Sequence, residues 1–146
     1  MAFEFRETMA GSYHMLASPS DERPISFTIR ARARSWRDFL RRPEVDIEGE
    51  VDAEGFADNR RLRGTLGMDV LRTRTLPYAF EFTANDGRTY VFEGKKTLHA
   101  GELTVSMTVL PGSIRVPGGE EIARAVLRFD LQRQLGRFLR SFRASP

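Results

Sequence analysis

The chain has 146 residues, a formal net charge of +3 and no cysteine. This length fits one domain with a substantial core, and the absence of cysteine excludes disulfide support. The first twenty residues include Glu4 and Glu7 and hold no continuous apolar run, which excludes an ordinary signal peptide, and no later run is long enough to span a bilayer. We therefore predict a single cytoplasmic domain over residues 1–146.

Apolar residues recur at every second position in a series of short runs between residues 3 and 129. A period of two is typical of strands with one buried face, and turns rather than helical patterns separate the runs. The first run is expected to be interrupted by a bulge or bend near Gly11. In chain order, the runs begin at Phe3, Phe27, Val45, Leu62, Tyr78, Tyr90, Leu103, Ile114 and Ala125. The pattern predicts an all-β, mainly antiparallel protein with one closed or sandwiched sheet.

The second and third runs carry opposite charges on their outward positions. Arginines alternate with apolar residues from Arg30 to Arg34, and carboxylates do so from Asp46 to Asp52. If these strands are antiparallel neighbours, the arginines oppose the carboxylates on one exposed face. A basic stripe that resembles a nucleic-acid site is then neutralised by the adjacent strand, so no nucleic-acid partner is expected.

A short helix is predicted between those two strands. Ser35 followed by Asp38 places a hydroxyl at the N-cap and an acid at the third helical position, and Pro43 forbids continuation. The helix either closes a barrel end permanently or acts as a movable lid, and its aromatic residues favour permanent closure. Its apolar side is formed by Trp36, Phe39 and Leu40.

The densest apolar feature is a predicted hairpin over residues 78–92. Its turn, Asn85-Asp86-Gly87, consists of residues that tolerate positive φ. The rings that share one face of this hairpin belong to Tyr78, Phe80, Phe82, Tyr90 and Phe92.

From Asp130 onward the period changes to that of a helix, with one apolar stripe and arginines on the other side. The stripe consists of Leu131, Leu135, Phe138, Leu139 and Phe142. We predict an amphipathic helix over about residues 130–143 that packs on the outside of the sheet. The alternative is a helix that docks on a protein, a membrane or a nucleic acid.

Together these elements describe an eight- to nine-stranded lipocalin-like barrel, which has room for side chains or one small ligand. The stretches Phe5–Gly11 and Tyr78–Lys96, with Gly64 and Gly67 between them, resemble a bacterial barrel module. That module occurs beside sterol-oxidase-like flavin oxidoreductases of the glucose-methanol-choline class, and the resemblance covers roughly residues 3–110. It implies an accessory domain that handles a lipid-like ligand, with any partner oxidoreductase on a separate chain.

No cofactor or metal is predicted. A G-x-G-x-x-G segment after a strand is missing, so neither flavin nor nicotinamide binding is expected. His14 and His99 are the only histidines, too few for a zinc site without carboxylates that the sequence gives no reason to place nearby. A G-x-S-x-G elbow is also missing, which disfavours a serine hydrolase.

These observations favour a non-catalytic barrel that binds a small apolar or lipid-like molecule. Glu7 and Glu93 are expected either to join Lys95 and Lys96 in a polar cluster at the barrel mouth or to form exposed ion pairs. The alternatives are a small enzyme that uses Glu7 and Lys95 for acid-base chemistry, and an interaction module that uses the Arg-rich terminal helix. The expected ligand contacts are Phe27, Trp36, Phe39, Tyr78, Phe80, Phe82, Tyr90, Phe92, Lys95, Lys96 and Met107.

Overall fold

A computed structural model describes residues 3–97, 109–129 and 143–144 of the chain. Neither helix in these ranges has the length and apolar character that crossing a membrane requires. The elements are β1 (Phe3–Met15), β2 (Arg23–Ala33), α1 (Trp36–Arg41), β3 (Glu44–Ala53), β4 (Ala57–Gly67), α2 (Val70–Thr73), β5 (Thr75–Thr83), β6 (Thr89–Thr97), β7 (Val109–Arg115), β8 (Glu121–Arg128) and β9 (Arg143–Ala144).

The strands from β1 to β8 form a closed antiparallel barrel. Each pairs with the next along the chain, and β8 returns to pair with β1. The closing ladder places Gly11 of β1 opposite Leu127 of β8, while the other side of β1 pairs with β2 from Phe3 to Tyr13. The predicted all-β antiparallel class and the closure of the sheet are confirmed.

The barrel interior is apolar because alternate residues of each strand point inward. Phe27, Ile29, Ala31 and Ala33 of β2 are all buried, as their alternation with polar residues predicts. The largest fully buried side chains are Phe27, Phe92, Met9, Ile29, Ile47, Leu110, Ile114 and Leu127.

The outer face of β2 and β3 carries the predicted opposition of charges. Arg30 lies opposite Glu48 in the ladder, and its guanidinium is 3.9 Å from the carboxylate of Glu48 and 3.4 Å from that of Glu50. Arg32 pairs instead with Glu4 of β1, at 3.6 Å. The arginines of this face are thus paired with carboxylates of neighbouring strands.

Two details of the predicted strands are wrong. β1 pairs with β2 in an unbroken register from Phe3 to Tyr13, so it is not interrupted near Gly11. The glycine instead leaves room for the carbonyl oxygen of Val126, which a Cβ would overlap. The alternation that begins at Leu62 continues to Val70 in the sequence and predicts a strand of that extent. β4 instead ends at Gly67, because Gly67 pairs with Glu44, the first residue of β3, and beyond that point β4 has no partner in β3.

Two other predictions fall largely outside the described residues. The strand expected from Leu103 lies there up to residue 108, and Val109 begins β7. The expected C-terminal helix lies there from residue 130 to residue 142. Arg143, which the prediction placed at the end of that helix, is in β9 and pairs with Glu4 of β1.

Helix α1 forms as predicted and rests against one end of the barrel. The Ser35 hydroxyl accepts a hydrogen bond from the Asp38 N–H at 3.1 Å, which caps the helix. Phe39 is half-buried, with its ring centroid 5.2 Å from that of Phe3. Trp36 is 56% exposed and Leu40 is 74% exposed, so the predicted apolar side is buried only at Phe39.

Candidate functional site

Two charged residues are buried in the described part of the chain, and they contact each other inside the barrel. Glu7 of β1 is 7% exposed and Lys96 of β6 is 3% exposed. The Lys96 Nζ donates a hydrogen bond to Glu7 Oε2 at 2.9 Å. Because β1 and β6 are not neighbours in the sheet, this ion pair crosses the barrel interior.

Strand alternation explains why both side chains point inward. Glu7 shares its face of β1 with Phe3, Phe5 and Met9, all of which are buried. Lys96 shares its face of β6 with Phe92, which is also buried. Glu7 and Lys96 therefore each occupy an inward-facing position in a strand whose buried neighbours on that face are apolar.

Tyr78 of β5 completes the cluster. Its hydroxyl donates a hydrogen bond of 2.6 Å to Glu7 Oε1, so both carboxylate oxygens of Glu7 accept a hydrogen bond. Burial raises the pKa of Tyr78 well above its ordinary value, and the negative charge of Glu7 raises it further. Tyr78 is therefore a protonated donor at neutral pH.

Two aromatic rings lie beside the Lys96 ammonium. Its Nζ is 5.2 Å from the centroid of the Tyr78 ring and 5.9 Å from that of the Phe129 ring. Contacts of this kind partly compensate a cation for the loss of water. We call Glu7, Tyr78 and Lys96 the interior polar cluster.

The aromatic side chains next to this cluster pack on one another. The rings of Phe80 and Phe92 stack at 4.8 Å, and Phe27 meets them edge-on at 5.4 and 5.9 Å. Phe56, in the turn between β3 and β4, meets Tyr90 at 4.9 Å. The rings therefore fill the barrel toward the end that carries the β3–β4 and β5–β6 turns.

The predicted contact residues separate into two groups. Buried inside the barrel are Phe27, Tyr78, Phe80, Phe82, Tyr90, Phe92 and Lys96. Trp36 and Lys95 are exposed, Phe39 is half-buried in α1, and Met107 lies outside the described residues.

The predicted polar cluster forms only in part. Glu7 and Lys96 contact each other, whereas Glu93 and Lys95 are exposed on the outer face of β6. Glu93 forms an ion pair of 3.6 Å with Arg115 of β7. The suggested acid-base pair of Glu7 with Lys95 does not form, because Lys95 lies on the opposite face of its strand from Lys96.

The sequence predicts Tyr78 only as an aromatic ligand contact and does not predict its hydrogen bond to Glu7. The available signal was a tyrosine in a row of inward-facing rings, since a buried hydroxyl needs a hydrogen-bond partner. The identity of that partner depends on distances across the barrel, which strand alternation does not reveal.

Comparison of the chain with protein-family models, curated proteins and solved structures finds no match. The fold and the site define the protein as a closed antiparallel β-barrel with a buried Glu-Lys-Tyr cluster. Within the described ranges, no three histidine, aspartate or glutamate side chains are grouped so as to hold a metal ion.

Proposed function

We propose that this lipocalin-like barrel binds a small apolar or lipid-like molecule in its interior, without catalysing a reaction, and that Lys96 contacts the polar end of the ligand. The observation that carries the proposal is the burial of the Glu7–Lys96 ion pair in an otherwise apolar interior. The desolvation of two buried charges offsets most of their attraction, so such a pair contributes little net stability. Recognition of a ligand gives the charges a role that packing alone does not.

The packed rings indicate which part of the interior would receive the ligand. Phe27, Phe80 and Phe92 contact one another closely and would form the floor of the site. Lys96 is the penultimate residue of β6, away from the β5–β6 turn. The ligand would therefore lie on the Lys96 side of these rings.

Apolar side chains around the polar cluster would contact the body of the ligand. Leu66 of β4 lies opposite Tyr78 in the ladder, and Val45 of β3 lies opposite Leu66. All three are buried and point into the barrel. Affinity would come mainly from apolar burial, at about 25 cal/mol per Å² before the costs of ordering.

The sequence resemblance to a module beside flavin oxidoreductases supports an accessory role, in which the barrel holds a lipid-like molecule for an enzyme on a separate chain. The alternative interaction module depends on the Arg-rich segment over residues 131–142, which lies outside the described residues. The enzymatic alternative loses only the pair suggested for it, because Lys95 is exposed on the outer face of β6 whereas Glu7 is buried.

Organic extraction of the purified protein followed by mass spectrometry tests the proposal. We expect wild type and Lys95→Met, which alters the outer face, to release the same apolar molecule, and Lys96→Met to release much less. An extract without any apolar molecule, together with no heat of binding on titration with dodecan-1-ol, would contradict the proposal.

A further inference from the structure

The interior polar cluster restricts the chemical class of the ligand. We propose that the polar end of the ligand is a neutral oxygen acceptor, such as that of an alcohol, a ketone or an ester, and not a carboxylate. This inference rests on the proposed ligand-binding function and specifies its substrate class.

The number of hydrogen-bond donors on Lys96 supports this inference. A lysine ammonium has three N–H donors. Among the described residues, Glu7 Oε2 is the one acceptor that Lys96 Nζ contacts. Within the described part of the chain, two N–H groups of this side chain, which is only 4% exposed, therefore have no acceptor and are available to one that enters the barrel.

The other two members of the cluster cannot take the donor role. Glu7 is an acceptor, and each of its carboxylate oxygens already accepts a hydrogen bond. The Tyr78 hydroxyl donates its single proton to Glu7. Lys96 is thus the member of the cluster that can donate to a ligand.

The charge of the interior polar cluster also disfavours a carboxylate. The negative charge of Glu7 cancels the positive charge of Lys96, and these are the two buried charged residues of the described chain. A carboxylate added to this neutral cluster would bring an uncompensated negative charge into an apolar interior, which is strongly unfavourable. A hydroxyl or carbonyl oxygen accepts from Lys96 without adding any charge.

Isothermal titration calorimetry with three ligands of the same chain length tests this inference: dodecan-1-ol, methyl dodecanoate and dodecanoate. At neutral pH, we expect wild type to bind the alcohol and the ester at least about tenfold more tightly than the acid. We also expect dodecanoate to bind more tightly as the pH falls toward the pKa of the ligand, because the neutral acid becomes more abundant.

Glu7→Gln is the matched variant, because it removes the negative charge and keeps the shape of the side chain. Lys96 then carries an uncancelled positive charge, so we expect the preference to reverse in favour of dodecanoate. Circular dichroism establishes whether this variant is folded, and the wild-type comparison and its pH dependence decide the inference if it is not.

The outcomes separate the two proposals. If dodecanoate binds wild type as tightly as dodecan-1-ol at neutral pH, the inference is overturned while the binding function stands. If none of the three ligands binds and the extract contains no apolar molecule, the proposed function itself fails.

Discussion

Lys96 of β6 and Glu7 of β1 form an ion pair of 2.9 Å, although β7 and β8 separate their strands on one side of the barrel. The pair therefore links two parts of the wall that no backbone ladder joins directly. Because both side chains are almost completely shielded from water, removing one charge leaves the other in an apolar environment.

Lys96→Met is expected to lower the free energy of unfolding by about 3–5 kcal/mol, because it leaves the Glu7 carboxylate unpaired inside the barrel. Lys95→Met is the matched control on the exposed face of the same strand and should change it by less than about 0.5 kcal/mol. Urea unfolding monitored by circular dichroism measures both values. Equal effects of the two substitutions would contradict the burial of Lys96.

The double variant Glu7→Leu with Lys96→Met is expected to recover most of the stability that Lys96→Met loses. Replacing both partners of a buried ion pair with apolar residues avoids the desolvation of charge and is often neutral or stabilising. The same urea titration measures the recovery. A double variant no more stable than Lys96→Met alone would contradict this prediction.

Tyr78→Phe removes the hydroxyl that donates to Glu7 and should cost about 1.5–3 kcal/mol, the range for hydrogen bonds to charged groups. Tyr90→Phe is the comparison, because the Tyr90 hydroxyl donates at 2.7 Å to Asp86, an exposed residue of the turn. We expect Tyr90→Phe to be the milder of the two in chemical unfolding. A larger loss in Tyr90→Phe would argue against the buried Tyr78–Glu7 bond.

The raised pKa of Tyr78 also predicts that the protein loses stability in alkali. Above the ordinary tyrosine value of 10.0, Tyr78 ionises in the unfolded chain and stays protonated in the folded barrel. The stabilisation is therefore complete below this pH and is lost as the pH rises toward the folded pKa. Unfolding free energies measured at several alkaline pH values should fall more steeply in wild type than in Tyr78→Phe. Parallel curves would contradict this prediction.

Gly64→Ala is expected to destabilise the barrel by about 3 kcal/mol or more, at the upper end of the overpacking range. A Cβ at this position would overlap the carbonyl oxygen of Ala79, and this backbone atom cannot move without parting β4 from β5. Gly87→Ala is the control: its φ of +81° strains an alanine, but nothing lies within 4 Å of the added atom. Gly87→Ala should lower the free energy of unfolding by only about 1–2 kcal/mol. Thermal unfolding of both variants separates the effect of steric overlap at Gly64 from that of backbone strain at Gly87.

Arg30→Gln should lower the unfolding free energy by less than about 1 kcal/mol, because its ion pairs lie on the outer face, where the Arg30 side chain is 35% exposed. The effect should shrink further in high salt, which screens exposed charges. Urea titrations at low and high salt measure this dependence. A loss as large as that of Lys96→Met would contradict the description of the outer face.

The periodicity of the sequence predicts much of the fold. Alternation identifies the buried face of β2, and the opposite charges of β2 and β3 predict that arginines face carboxylates, as Arg30 faces Glu48 in the ladder. Alternation does not show where a strand ends, because the end depends on the partner. The apolar pattern of β4 continues to Met68 and beyond, yet the strand stops where β3 begins.

The candidate site was predictable only in part. Glu7 falls on the same parity as Phe5 and Met9, so its inward direction follows from the sequence. Lys95 and Lys96 are consecutive and must lie on opposite faces of a strand, which identifies one of them as interior. The contact between Glu7 and Lys96 depends on how the closed barrel brings β1 opposite β6, and local patterns do not contain that information.

The pairing of Gly11 with Leu127 has a consequence for the synthesis of this protein. The ladder that seals the barrel joins its first strand to its last, so β1 is synthesised well before the partner that closes the sheet. Until β8 emerges, the nascent chain holds β1 with one edge unpaired, and such edges are prone to pair with other chains. Pairing of β8 with β1 therefore removes an edge that is open to other chains while the barrel is incomplete.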